Sequence, residues 1–85
     1  MKPDTVLKRF TRKDLKGIRM PVIVVYAKPK DYPDKYVARL FDLMTPTKNI
    51  ALANSLHEVR RAIPSSLFKF PRFNDDDPCI VETWM

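Results

Sequence analysis

Lys35 to Met44, read KYVARLFDLM, is the stretch on which the fold turns. Wound as a helix, it lines up Tyr36, Val37, Leu40, Phe41 and Met44 on one face. Extended, it points Val37, Phe41 and Leu43 one way and Tyr36, Ala38 and Leu40 the other. The residues that follow decide between the two. Thr45-Pro46-Thr47 reads as a turn, and Lys48 to Ala53 (KNIALA) is too short for a helix of its own. A short strand needs a neighbour to satisfy its backbone N–H and C=O groups. A hairpin between 36–43 and 48–53 supplies one, so both segments are predicted as strands.

Working outward, Pro21 to Tyr26 (PVIVVY) is β-branched and aromatic, the best strand in the chain. It is apolar on both faces, which predicts a central place in its sheet. Ala27 to Asp34 (AKPKDYPD) carries two prolines and reads as a loop. Ser55-Leu56-His57-Glu58 has the form of a capping box, in which serine and glutamate satisfy backbone donors at a helix start. The helix that follows would place Leu56, Val59, Ala62 and Ile63 on one face and Arg60 and Arg61 on its exposed side, until Pro64 stops it. Ser65 to Phe73 is an aromatic-rich connection with a short strand near 67–70. Asn74 to Pro78 (NDDDP) is an acidic turn, and Cys79 to Trp84 (CIVETW) is a final strand. The predicted fold class is α+β. A small antiparallel sheet has one helix packed on it, in the order β-β-β-α-β, preceded by a short basic N-terminal helix or arm.

Residues 1–19 read as that arm and residues 20–85 as the single domain. In the arm, Asp4 caps a short helix running to Lys16, with Gly17 as the residue past its end. Charge marks the same division. Residues 1–35 hold ten Lys/Arg against four acids, whereas residues 36–85 hold six of each, so the whole excess of +6 sits in the first part of the chain. A block of this kind points to a basic face joined to a neutral body. A body of about 66 residues is near the lower limit for one stable core, so a homodimer or a partner would supplement it.

Composition excludes several functions. There is one glycine, Gly17, so no glycine-rich phosphate loop exists. One cysteine, Cys79, allows no intrachain disulfide, and with the lone His57 it cannot build a zinc site of the usual kind. The longest apolar run, Val22 to Ala27, is far short of a membrane span, and no apolar segment of signal-peptide type follows the basic N-terminus. The expectation is a cytoplasmic protein with no membrane partner and no cofactor.

The run YVARLFDLMTPTKNIALANSLHEVRRAIP, residues 36–64, has a cadence of strand, turn, strand and capped helix. Over residues 21–63 this order resembles the bodies of HicB-type antitoxins. It departs from them in lacking a Pro-Gly-Cys-like turn element and in the early stop at Pro64. The phrases KDYPDKYVARLFD and DDDPCIVETW also resemble small proteins of bacteria and their mobile elements, of unknown function. Both resemblances imply a small regulatory protein of bacterial or phage type.

Candidate chemistry is sparse. His57 and Cys79 are not brought together by any spacing, and read as a surface residue and a small core residue. Asp75, Asp76 and Asp77 lack the glycine pivot and later glutamate of a cation loop, and read as a solvated turn. Phe68, Lys69, Phe70, Arg72 and Phe73 interleave rings with cations, as single-strand nucleic-acid sites do, but the alternation of Phe68 and Phe70 about Lys69 reads first as a half-buried strand with its rings in the core.

The expected function is therefore binding without catalysis. The first reading is a regulator or inhibitor that grips a protein partner through an open sheet edge or through Phe70, Phe73 and Trp84. The second is a nucleic-acid binder using Lys8, Arg9, Arg12, Lys13, Lys16 and Arg19, with Arg60 and Arg61 extending the patch. The same cations would serve an acidic protein surface.

Overall fold

A computed structural model describes residues 4–71 and 78–85. Along the chain these form β1 (Thr5–Leu7), α1 (Arg12–Leu15), β2 (Pro21–Ala27), β3 (Tyr36–Asp42), β4 (Thr45–Ala53), α2 (Leu56–Arg60), β5 (Lys69–Pro71) and β6 (Ile80–Trp84). The strands make one sheet in the order β1-β4-β3-β2-β6-β5. β1 runs parallel to β4, and the other neighbours are antiparallel. This corrects the expected single helix on a small antiparallel β-β-β-α-β sheet. The sheet is six-stranded and mixed, and it carries two short helices, of four and five residues.

The correction begins at the N-terminus. Asp4 does not cap a helix, and Thr5 to Leu7 pair instead with Asn49 to Ala51 along the outer edge of β4. A helix of this length is marginal in water, while an open strand edge offers unpaired N–H and C=O groups to any extended neighbour. Only Arg12 to Leu15 remain helical. Thr11 holds that turn, its backbone N–H and its hydroxyl each donating to Asp14 Oδ2 at 2.9 Å. Gly17 follows at φ +86°, a conformation that glycine adopts without a steric penalty.

The central hairpin forms, with Ala38 opposite Ala51 and Val37 opposite Leu52. Its turn is at Leu43-Met44, two residues earlier than the prolyl segment predicts, and Pro46 lies inside β4. Proline is tolerated there because β1 pairs only with Asn49 to Ala51, so the far side of β4 at Pro46 lacks a paired strand among the described residues. A bulge between Arg39 and Phe41 absorbs the mismatch. Thr47 stitches it, its hydroxyl donating to the Leu40 carbonyl at 2.6 Å while its own carbonyl accepts from Arg39 Nη1 at 2.8 Å.

β2 takes the central place its composition predicts, flanked by β3 and β6, with Val22 to Val25 buried. One face of the sheet is the core. There Ile23, Val25, Ala38, Leu40 and Ala51 meet Val59, Ala62 and Ile63 of the α2 segment, together with Phe10. Ile23, Leu40 and Val59 are fully buried, and each such side chain contributes about 1.5–3 kcal/mol through removal from water. Ser55 starts α2, its hydroxyl accepting from the Glu58 N–H at 3.2 Å, and the helix ends at Arg60, short of the predicted run to Ile63.

Candidate functional site

The other face of the sheet carries no helix among the described residues. Strand register fixes what lies on it. Phe70, Thr83, Val24, Arg39, Ile50 and Val6 form one continuous row across all six strands, because each pairs with the next. Val22, Phe41 and Pro46 make a neighbouring row. Alternation along β5 and β6 puts Phe68 and Met85 on the same face as Phe70 and Thr83. Phe68 and Met85 pair directly, with reciprocal backbone hydrogen bonds of 3.0 Å.

The centre of this face is buried, Ile50 fully and Val22 and Val24 nearly so, and its exposed apolar side chains lie toward its ends. Phe68 is 74% exposed and Phe70 39%, so the rings expected in the core stand in solvent instead. Val6 and Met85 are exposed as well. At the hairpin end of the sheet, Met20, Leu43 and Met44 complete the exposed apolar surface, Met44 being 85% exposed. The Leu43 N–H donates to the Met20 carbonyl at 2.8 Å, and the Met20 N–H donates to Asp42 Oδ1 at 3.2 Å, which holds the backbone at Met20 against the hairpin turn. Leu43 holds φ +58° at the first of two central turn residues. Hairpin turns with positive φ at that place favour glycine, and a leucine there costs about 1–2 kcal/mol. A bulky apolar side chain is thus held at a strained, protruding position.

Beside the row, Tyr26, Asp31, Tyr32, Arg39 and Phe41 border an open hollow of about 720 Å3. Arg39 and Asp4, two of its three charged side chains, pair with each other. Arg39 Nη1 donates to Asp4 Oδ1 at 3.1 Å and Nη2 to Asp4 Oδ2 at 3.2 Å. The Tyr32 hydroxyl also donates to Asp4 Oδ2, at 3.0 Å. Desolvation, and then this bond to a carboxylate, push the Tyr32 phenol above its ordinary value. Its apolar residues and this internal ion pair stand out on a chain whose net charge is +6.

On the core face, Glu82 is 3% exposed. Arg60 Nε donates to Glu82 Oε2 at 3.1 Å and Nη2 to Oε1 at 2.7 Å, and Trp84 Nε1 donates to Oε2 at 2.7 Å. Desolvation drives the Glu82 carboxyl upward, but the donors from Arg60 and Trp84 together outweigh it and hold the group below its ordinary value. The bond to Glu82 in turn raises Arg60.

The structure thereby separates residues that sequence reasoning grouped. Arg60 is tied to Glu82, while its neighbour Arg61 is exposed. Trp84 packs against the core and donates to Glu82, so it is no free anchor, whereas Phe70 lies on the open face. Phe73, and the aspartates of the acidic turn, lie outside the described residues. Lys8, Arg9, Arg12, Lys13, Lys16 and Arg19 are all exposed. His57 is exposed on α2 and Cys79 is half-buried beside β6. Among the described residues, no three His, Cys, Asp or Glu side chains are grouped to hold a metal ion. No helix among them is long and apolar enough to cross a membrane. Sequence reasoning missed Phe68, Met20, Leu43 and Met44 as surface residues. The one signal for the last two is a large apolar pair between two strands, where a two-residue hairpin turn favours Asn-Gly.

No protein-family model, curated protein or solved structure matches this chain.

Proposed function

We propose that this protein is a non-enzymatic binding protein that regulates or inhibits a protein partner through contact with the exposed apolar side chains of this helix-free sheet face. One observation carries the reading. Every large apolar side chain left exposed among the described residues lies on that face or at its hairpin end. Exposed apolar side chains gathered on one surface mark interaction sites. Rings and methionines are the residue types that interface centres favour. Arg39 is cancelled by Asp4 beside these apolar side chains, which fits a partner whose contact surface is largely apolar.

A photo-crosslinking amino acid at Met44 or Phe70, compared with one at Lys13, tests the reading in host extract. One protein, crosslinked from positions 44 and 70 but not from 13, and lost on Leu43→Asp, supports it. Crosslinks between two copies of this chain, or equal capture from all three positions, would contradict it.

A further inference from the structure

The basic segment expected as an arm is fastened down, and the fastening decides which way its charges face. Leu7, Leu15 and Ile18 pack against the core, and Phe10 is buried within it. The Phe10 N–H donates to the Ala62 carbonyl at 2.8 Å, which brings the backbone at Arg9 beside the backbone at Arg61. With the apolar residues of the segment turned inward, Lys8, Arg9, Arg12, Lys13, Lys16 and Arg19 are all left in solvent, and Arg61 joins them from α2. Asp14 is the one acid between Lys8 and Arg19, and its carboxylate already accepts from Thr11. From Lys8 to Arg19 the chain therefore presents six exposed cations against one carboxylate. Arg12, Lys13 and Lys16 border one shallow hollow with Leu15, whereas Arg19 stands at the hairpin end of the sheet beside Met20, Leu43 and Met44.

We propose that this cationic surface binds the phosphate backbone of nucleic acid without reading its sequence. Two classes of polyanion compete for such a surface, and the residues between the cations choose. A specific protein interface needs apolar anchors at its centre. Between Lys8 and Arg19 the described surface exposes no large apolar side chain. A phosphate backbone needs none, because affinity comes from release of counterions condensed along it. A surface fixed by Phe10 also loses less conformational freedom on binding than a loose tail would.

The test is fluorescence anisotropy of the full chain with a labelled 20-base-pair duplex, at several salt concentrations. Micromolar affinity near physiological salt is expected, with a log–log slope of roughly −4.5 to −6.3 against salt for about five to seven phosphate contacts. Lys13→Glu with Lys16→Glu should weaken binding at least about 30-fold. Lys30→Glu with Lys48→Glu lowers the net charge equally from outside this surface, and should change binding less than about threefold. All four residues are exposed, and thermal melts of both doubles confirm that the fold survives. Equal losses in the two doubles, a slope near zero, no binding at 100 µM protein, or tighter binding to polyglutamate than to the duplex would each overturn the proposal. None of these outcomes bears on the helix-free sheet face, because crosslinking from Met44 and Phe70 reads that surface alone.

Discussion

Arg39 and Asp4 are 35 residues apart in sequence, yet two parallel hydrogen bonds of 3.1 and 3.2 Å join them across the open face of the sheet. The pair ties the start of β1 to β3, and it does so over β4, the strand that lies between them. β1 has only three paired residues, so its attachment depends on this contact and on Leu7.

Asp4→Ala is expected to lower stability by about 1.5–3 kcal/mol, the range for hydrogen bonds to a charged group. Amide exchange should rise first in β1 and in the Asn49–Ala51 stretch of β4. The double variant Asp4→Ala with Arg39→Met should lose less than the sum of the singles, measured by urea unfolding. Strict additivity would show that the two side chains do not act together.

The Glu82 cluster predicts a pH dependence. Its folded carboxyl is held below the ordinary glutamate value, so its contribution is fully present above the unfolded value of about 4.3. The contribution is lost as pH falls through the lower folded value. Arg60 keeps 38% of its side chain in solvent, so Glu82→Gln should cost about 2 kcal/mol, between exposed and buried pairs. Unfolding curves at pH 7 and at pH 3 should differ less in Glu82→Gln than in the parent chain.

Leu43→Gly separates stability from binding. Glycine relieves the positive-φ strain at the hairpin but adds unfolded-state entropy, leaving a net gain of about 0.5–1 kcal/mol. The melting temperature should rise by a few degrees while crosslinking from Met44 falls. A lower melting temperature would mean that the leucine side chain stabilises the hairpin itself.

Gly17→Ala should cost about 1–2 kcal/mol even though its new Cβ would meet no atom within 4 Å. The loss comes from backbone conformation alone, at φ +86°. Gly17→Asn should cost less, because asparagine visits that region more readily. Equal losses for alanine and asparagine, in thermal melts, would place the cause elsewhere.

Local pattern was a good guide wherever neighbouring residues set the outcome. The apolar run from Pro21 to Tyr26 marked a buried central strand, the pairing needs of Lys48 to Ala53 marked a hairpin, and Ser55 marked the start of α2. It misled at Pro46, where a proline read as a turn sits in a strand with one open side. It also misled at Asp4, whose role depends on a partner 35 residues away.

From its sequence alone, this chain determines which residues alternate, where its helix α2 begins, and that its excess charge lies in the first part of the chain. Tertiary structure alone decided that the leader joins the sheet, that Arg60 is consumed by Glu82 while Arg61 faces solvent, and that Phe68 and Phe70 stand exposed on the face without a helix. The physical reason is that period and propensity act over a few residues and settle which side chains share a face. Which face is then covered depends on pairings between distant segments, and those are set by the free energy of the whole packed chain.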